Sequence, residues 1–480
     1  MVVFRVAAVV LALVWTVAPA LAERWRVREA FELARAKADD VRAWELIAPE
    51  IERCEATAST ADECLDLLLA AAGAARRAGQ AKASEIVARK AVVIAEKFLP
   101  ADDPDRGFAY NNLAVAIDEN GRDSEAETWY RKAIAFRSSL NPPPLGDIAS
   151  TRSSLAANLT EQERYREGEA EARQAIAIFE LAKDPTLPGL IVAYNNLAYN
   201  LSRQMRFEEA EALYRKVLEI RTRTLPPRHL LVAVTLANLA DVLASQRRYD
   251  LAWPIQLDVL KIRTEALPKN HPDTAIAFSN LGVTMMRIGD AESAIALHVN
   301  AVKIWQEILP ATHPTLATGY NNLGDALSNA GRYDQAETMF NLALDIWESA
   351  LPATHSSIAT GYINLASVAR SQRRLDSAEH RYRKAVSILA ARPPNSPLRI
   401  SAIGLLGETL VLAGKPGAEA RSLFREAQRG VLVRLQSFPT SDIAVRAELR
   451  EYRAVFLGEI TTAWSLTVSR PTIPPSTVRP

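Results

Sequence analysis

The chain is short of cysteine, of glycine and of any excess of one charge. Among its 480 residues are two cysteines and 19 glycines, and 57 Lys and Arg face 56 Asp and Glu. Removing the first 22 residues takes away Arg5 and no acid, leaving 56 against 56. A neutral chain has no strong electrostatic reason to bind DNA, RNA or an anionic membrane surface. Two cysteines make no tetrahedral zinc site without nearby histidines, and no histidine precedes His229. P-loop, H-E-x-x-H, G-x-S-x-G and dinucleotide fingerprints are all missing. What is present is 49% hydrophobic residues, enough for a sizeable core, so wholesale disorder is excluded. Length divided by about 150 suggests roughly three domains, unless a repeat array evades that arithmetic. With alanine abundant and the 26 prolines acting as punctuation, the composition favours an all-helical soluble protein.

The start, MVVFRVAAVVLALVWTVAPALA, reads as a signal peptide over residues 1–22. Arg5 precedes an apolar run from Val6 to Val17, and Ala20-Leu21-Ala22 supplies the small-x-small cleavage pattern. The run falls short of the roughly 20 apolar residues of a span; an uncleaved anchor is the alternative. The expectation is export, to a periplasmic or extracellular compartment. There Cys54 and Cys64, which flank the polar stretch EATASTADE, are candidate disulfide partners. Two free thiols on separate helices are the other reading.

Leu113, Leu155, Leu197, Leu239, Leu281, Leu323 and Leu365 recur every 42 residues, each followed by a small residue. Thirteen residues past each leucine stands Ala or Gly, as at Ala126, Gly168 and Ala336; seven further on stands Ala or Val. The unit is a helix hairpin. Leu316, Tyr320, Leu323 and Leu327 mark the apolar stripe of a first helix, and Ala336, Phe340, Ala343, Leu344 and Trp347 that of a second. Gly331, like Gly121 and Gly289, offers a left-handed stop between them, and Leu-Pro ends the pair. One hairpin cannot bury its stripe alone, so neighbours must stack. Repeats begin near residues 65, 107, 149, 191, 233, 275, 317, 359 and 400, with Pro416 opening the last second helix. The division reads: cap over 23–64, solenoid over 65–434, capping helix within 435–469 and a disordered Pro-rich tail over 470–480. Residues 442–468 read as one long amphipathic helix.

The sequence NNLGDALSNAGRYDQAE at 321–337 resembles the tetratricopeptide repeat (TPR), and LPKNHP at 267–272 with LPATHP at 309–314 resembles its kinesin-light-chain subtype. The resemblance implies an all-α, right-handed superhelical solenoid of about nine repeats, whose first helices line a concave groove that holds an extended peptide or a helix. Carried over by position, the residue before each repeat leucine faces that groove: Asn112, Asn196, Asn238, Asn280, Asn322 and Asn364, with Ser154 in the remaining repeat. A second asparagine precedes it at Asn111, Asn195 and Asn321. Amides donate and accept, so such a ladder can bond a peptide backbone whatever its sequence; alternatively, it ties neighbouring helices and holds the superhelical pitch. Asp241, Asp325, Arg203, Arg287 and Arg370 lie further along the same helices and would add selectivity. Lysine is absent from these positions, which argues against clamping of a partner's C-terminal carboxylate in the groove.

His229, His271, His313 and His355 share the 42-residue period. Equivalent atoms of stacked hairpins lie about 10 Å apart, too far to share a zinc ion held at about 2 Å, so these histidines are read as braces of the inter-repeat loops. Asn158-Leu159-Thr160 and Asn200-Leu201-Ser202 match a glycosylation sequon but fall inside predicted packed helices. Glu and Arg pairs three or four residues apart read as solvated faces. Repeats of this subtype often precede a caspase-like CHAT protease domain, yet the last histidine is His380 and the last cysteine Cys64, so no such dyad follows. The expectation is a non-catalytic scaffold or adaptor, without metal or cofactor, that binds another protein. A stand-alone regulatory arm of a separately encoded CHAT-type protease or other enzyme is the alternative. Self-association is a third reading, since an uncharged surface does not repel its copies.

Overall fold

The described residues of the computed structural model are 30–32, 34, 40–52, 54, 60–184, 187–415, 417–435, 449–450 and 452–468. The signal segment, Pro416 and the proline-rich tail fall outside them. Among the described residues no strand occurs, and no helix is long and apolar enough to cross a membrane. After α1 (Asp40–Glu52) come nine helix pairs. They are α2 and α3 (Ala61–Arg77, Ala81–Phe98), α4 and α5 (Pro104–Asp118, Asp123–Ser139), and α6 and α7 (Leu145–Glu161, Tyr165–Glu180). Next are α8 and α9 (Pro188–Arg203, Phe207–Thr224), α10 and α11 (Leu230–Ser245, Tyr249–Ala266), and α12 and α13 (Pro272–Ile288, Ala291–Ile308). The series ends with α14 and α15 (Pro314–Asn329, Tyr333–Ala350), α16 and α17 (Ser356–Ser371, Leu375–Ile388), α18 and α19 (Pro397–Leu412, Ala418–Leu435), and a final helix α20 (Arg453–Val468). These form two compact units. One comprises residues up to Pro227 with Asp241–Gln246, the other Arg228–Ala240 and Arg247 onward.

Each inter-repeat loop is set by local chemistry. Before Pro, Leu267, Leu309 and Leu351 leave the helical region for extended backbone. Three or four residues later a histidine caps the next helix. Nδ1 of His271 accepts from the Asp273 amide at 3.1 Å, and those of His313 and His355 accept from Thr315 and Ser357 at 3.2 Å. His229 does the same with Leu231 at 3.1 Å. The periodic histidines therefore satisfy orphan amides at helix starts, one per hairpin. Within the hairpins, Gly121, Gly289 and Gly331 take φ of 73°, 92° and 76°. Glu163, Met205, Arg247 and Arg373 fill the same slot at φ near 60° despite their side chains.

Inside the hairpins of Gly324 and Gly282, the small residue after the repeat leucine meets the ring sixteen positions on. A Cβ on Gly324 would sit 2.7 Å from Phe340, and one on Gly282 would sit 2.7 Å from His298. Two hairpins of the second unit carry polar groups at that core position: Gln256 and His298 are buried, and neither Gln256 Oε1 nor His298 Nδ1 has a hydrogen-bond partner. Between hairpins a second size match operates. Trp305 covers Gly319 and Trp347 lies over Gly361, whereas Arg137 meets Thr151 at the corresponding place.

Cys54 and Cys64 are joined in a disulfide with Cα atoms 5.7 Å apart, tying the end of α1 to the start of α2. Ala43 and Ile47 of α1 join Leu65 and Leu68 of α2 in one core. At the other end, residues 442–448 and 451 of the continuous helix read over 442–468 lie outside the described residues, and the described part is interrupted. A turn at Tyr452 precedes α20, because Tyr452 is itself drawn into the core with Val455, against Ile400, Ile403 and Phe424. Glycine at 458 lets α20 cross close over the Phe424 ring.

Candidate functional site

Within each unit the first helices of successive pairs touch one another: α2 with α4, α4 with α6 and α6 with α8, then α12 with α14, α14 with α16 and α16 with α18. Among the described residues no two second helices meet to a comparable extent. First helices thus form the inner side of each stack, and their unburied residues form the candidate binding face.

The ladder asparagines are half-buried on this face. Three bond to the residue 43 positions back, on the preceding first helix. Asn196 Nδ2 donates to Ser153 O and Oγ at 2.9 and 3.0 Å, Asn322 to Ser279 Oγ at 3.4 Å, and Asn364 to Asn321 Oδ1 at 2.8 Å. Asn112, Asn238 and Asn280 occupy the same position in their own helices. Of the second set, Asn111 Oδ1 accepts from Thr151 Oγ1 at 3.0 Å and Asn195 Nδ2 donates to Ile191 O at 2.8 Å. Asn195 Oδ1 is buried without a partner. The amides of Asn111, Asn196, Asn322 and Asn364 stitch repeats together while their helix face stays on the inner side, and that of Asn195 bonds within its own helix.

The charged candidates diverge. Asn321 Nδ2 reaches Asp325 Oδ2 at 3.5 Å, so Asn364, Asn321 and Asp325 make one chain. Burial pushes the Asp325 carboxyl up to about 6, against the opposing field of Arg287. Arg370 is committed to Glu408 of the next first helix at 2.6 Å, a pairing that the sequence spacing does not reveal. Arg203 is exposed and lies 6.0 Å from the Tyr199 ring. Asp241 is exposed and raises the pKa of buried Tyr214, behind the larger effect of that ring's own burial.

Sequence reasoning missed the apolar neighbours of the ladder. Four residues before Asn112, Asn196, Asn238 and Asn280, one turn earlier on the same helix face, stand Phe108, Val192, Val234 and Ile276, all exposed, whereas Thr318 and Thr360 hold that place before Asn322 and Asn364. Val283 follows Asn280 by three residues and is exposed as well. The signal was available as the i, i+4, i+7 spacing of Ile276, Asn280 and Val283, but branched aliphatics there read as core. Asn158 and Asn200, the sequon residues, are buried; Asn158 Nδ2 bonds Asp118 at 2.7 Å and Asn200 Nδ2 bonds Thr160 Oγ1 at 2.7 Å.

With this geometry the comparisons agree. A tetratricopeptide-repeat family model matches residues 147–223, 189–265, 231–298 and 273–349, and a second matches 109–143. No curated relative matches the sequence. Among solved structures, the apo form of RapI is similar at 15% identity, over 76% of this chain and 99% of that one, with a TM-score of 0.52. A signal-transduction ATPase with a tetratricopeptide-repeat sensor from Pyrococcus horikoshii is similar at 14% identity, over 73% of this chain and 53% of that one, with a TM-score of 0.53. A putative kinesin light chain from Podosopora anserina is similar at 20% identity, over 44% of this chain and 99% of that one, with a TM-score of 0.39. Such identities speak to fold alone. From its period, its paired helices and the family matches over 109–143 and 147–349, the chain is a tetratricopeptide-repeat protein.

Proposed function

We propose that the chain is a non-catalytic scaffold that holds an extended segment or helix of another protein along its first-helix face, in an exported, periplasmic or extracellular setting. One observation carries this reading. Ile276 and Val283, 42% and 41% exposed, flank Asn280 on one helix face, and Val234 holds the place of Ile276 one repeat earlier. Apolar side chains are left in water beside groups that can bond a backbone, as recognition of a polypeptide requires. The amides tied across repeats keep that surface rigid, which lowers the ordering cost of binding.

The test is affinity capture from the native envelope fraction with wild-type chain and with Ile276→Asp and Val283→Asp. Both side chains are exposed, so helical content and melting temperature should stay within the range of ordinary surface changes. Capture should fall by about tenfold or more if they are contact residues. Unchanged capture moves the site away from this face. Recovery only of the chain itself would replace a foreign partner with self-association.

A further inference from the structure

Three repeats carry the same side-chain triad, and the others carry a different set of residues at its positions. Tyr110 Oη donates to Glu96 at 3.1 Å, while Lys132 bonds Glu96 at 2.7 Å and lies 4.3 Å from the Tyr110 ring centre. Tyr194 donates to Glu180 at 2.7 Å, with Lys216 on its hydroxyl at 2.6 Å and over its ring at 4.1 Å. Tyr362 donates to Glu348 at 2.6 Å under Lys384, 4.2 Å from the ring. In each case a phenol fills the space between a hairpin and its predecessor, closed by an ammonium above and a carboxylate at the end.

One repeat after the first of these, the three positions hold Ser138, Arg152 and Gln174. The space there is open, a cleft of about 410 Å³ walled by Pro143, Ile148 and Ile178 and edged by those three polar residues. Its volume is in the range of small-ligand sites, and it is shallow and largely open to solvent. Arg152 is held from behind, its Nη1 on Glu171 Oε2 at 2.5 Å, which fixes a guanidinium that still has N–H groups to offer. The triad's acceptor, glutamate, has become serine, and its cation has become an amide. Guanidinium, hydroxyl and amide N–H can all donate to one head group; the hydroxyl and the amide oxygen also accept, so it is the guanidinium that favours an anionic head joined to an apolar body.

We propose that this cleft binds an apolar monocarboxylate, its carboxylate on Arg152, Ser138 and Gln174 and its hydrocarbon against Pro143, Ile148 and Ile178. The chemistry is shared by the last residue of a polypeptide and by a free aliphatic acid. The site is independent of the first-helix face, and neither reading depends on the other.

The experiment titrates the full chain with N-acetylphenylalanine, with octanoate and with N-acetylphenylalanine amide, observed through isoleucine methyl NMR. Millimolar or tighter binding is expected for the acids, with shifts at the Ile148 and Ile178 methyls, and the amide should be weaker by about tenfold or more. Stronger binding of N-acetylphenylalanine than of octanoate assigns a polypeptide end; the reverse assigns an aliphatic acid. Ser138→Glu, Arg152→Tyr and Gln174→Lys together rebuild the triad of Tyr110, Tyr194 and Tyr362 and should abolish binding. Arg152→Gln alone keeps the apolar wall and should lower acid affinity towards that of the amide. Equal binding of acid and amide, binding that survives the triple variant, acid affinity undiminished in Arg152→Gln, shifts confined to other isoleucines, or no binding by about 10 mM of any probe each overturns the proposal.

Discussion

Exchanging one inter-repeat contact for another tests whether stacking is set by paired side-chain volumes. Trp305 is 5% exposed and lies where a Cβ on Gly319 would be 2.8 Å from its ring carbons. At the corresponding place Arg137 is buried, donates from Nη1 to Asp147 O at 3.1 Å and to Thr151 Oγ1, and faces the Phe108 ring at 4.8 Å. Gly319→Thr alone forces a branched Cβ into the indole and should cost about 1–3 kcal/mol. Trp305→Arg alone puts a guanidinium into a buried place facing a bare glycine, with no hydroxyl to receive it, a loss of about 3–5 kcal/mol as for a buried charge left without its partner. Together the two recreate the Arg–Thr pair, with a hydroxyl beside the guanidinium and no ring to clash. The double variant should therefore lie above the sum of the singles by about 1.5–3 kcal/mol of coupling. Urea unfolding by circular dichroism measures it, with amide exchange in α13 and α14 as a local readout, because a repeat array need not unfold all at once. A double variant that equals the sum of the singles within about 0.5 kcal/mol would sink the volume-matching argument.

The buried His298 predicts an acid-sensitive second unit. Burial holds its pKa down to about 4 against an ordinary 6.5, so the neutral ring's contribution is complete above pH 6.5 and fades as the pH falls towards 4. The span of 2.5 units corresponds to at most about 3 kcal/mol. Asp325, raised to about 6, has the opposite slope over part of that range, so the difference between wild type and His298→Phe isolates the histidine. That variant copies Phe340 over Gly324, and it should gain about 1 kcal/mol at pH 7 and widen its advantage on acidification. A difference that does not change with pH in urea melts rules this out. At the hairpin turns, Met205→Gly should stabilise the fold by relieving a positive φ of 61°, while Gly331→Ala should destabilise it, each by about 1 kcal/mol or less. Equal effects of one sign in thermal scans would show that the left-handed slot does not govern the turn.

The hairpins were legible because their causes are local. Leucine with alanine or glycine at fixed spacing marks helix crossings, and Leu-Pro followed by a histidine marks a stop and a start. The sequence placed those histidines in the loops, but not the amide that each Nδ1 accepts, which depends on the backbone two residues on. The left-handed slot was readable only where glycine filled it, since glutamate, methionine and arginine give no local sign of positive φ. The ladder was readable as a position and not as a bond. Its acceptors, Ser153, Ser279 and Asn321, lie 43 residues back and come within reach only when hairpins stack. Exposed Ile276 and Val283 escaped for a related reason: a repeat helix has apolar residues on two sides, and sequence does not say which side a neighbour covers.

Charge pairing shows how far a local reading goes. Glutamate and arginine three or four apart do pair, as Arg164 with Glu167 at 2.6 Å and Arg206 with Glu209 at 2.7 Å. Yet the same arginines also reach back a repeat, Arg164 to Glu127 at 2.5 Å and Arg206 to Glu169 at 2.6 Å, and Arg374 does so to Glu337 at 2.5 Å. Gln162 and Gln204 reinforce these turns by bonding Asn158 and Asn200. Partly exposed pairs of this kind contribute little stability individually. Their placement argues for another role. An arginine that bridges two glutamates, one on its own helix and one on the previous hairpin, fixes the rotation of a repeat against its neighbour. Greasy contacts such as Trp305 on Gly319 set the spacing, and these forks set the angle. The face that first helices present to a partner is shaped by both, so a faithful repeat needs its surface charges as well as its core.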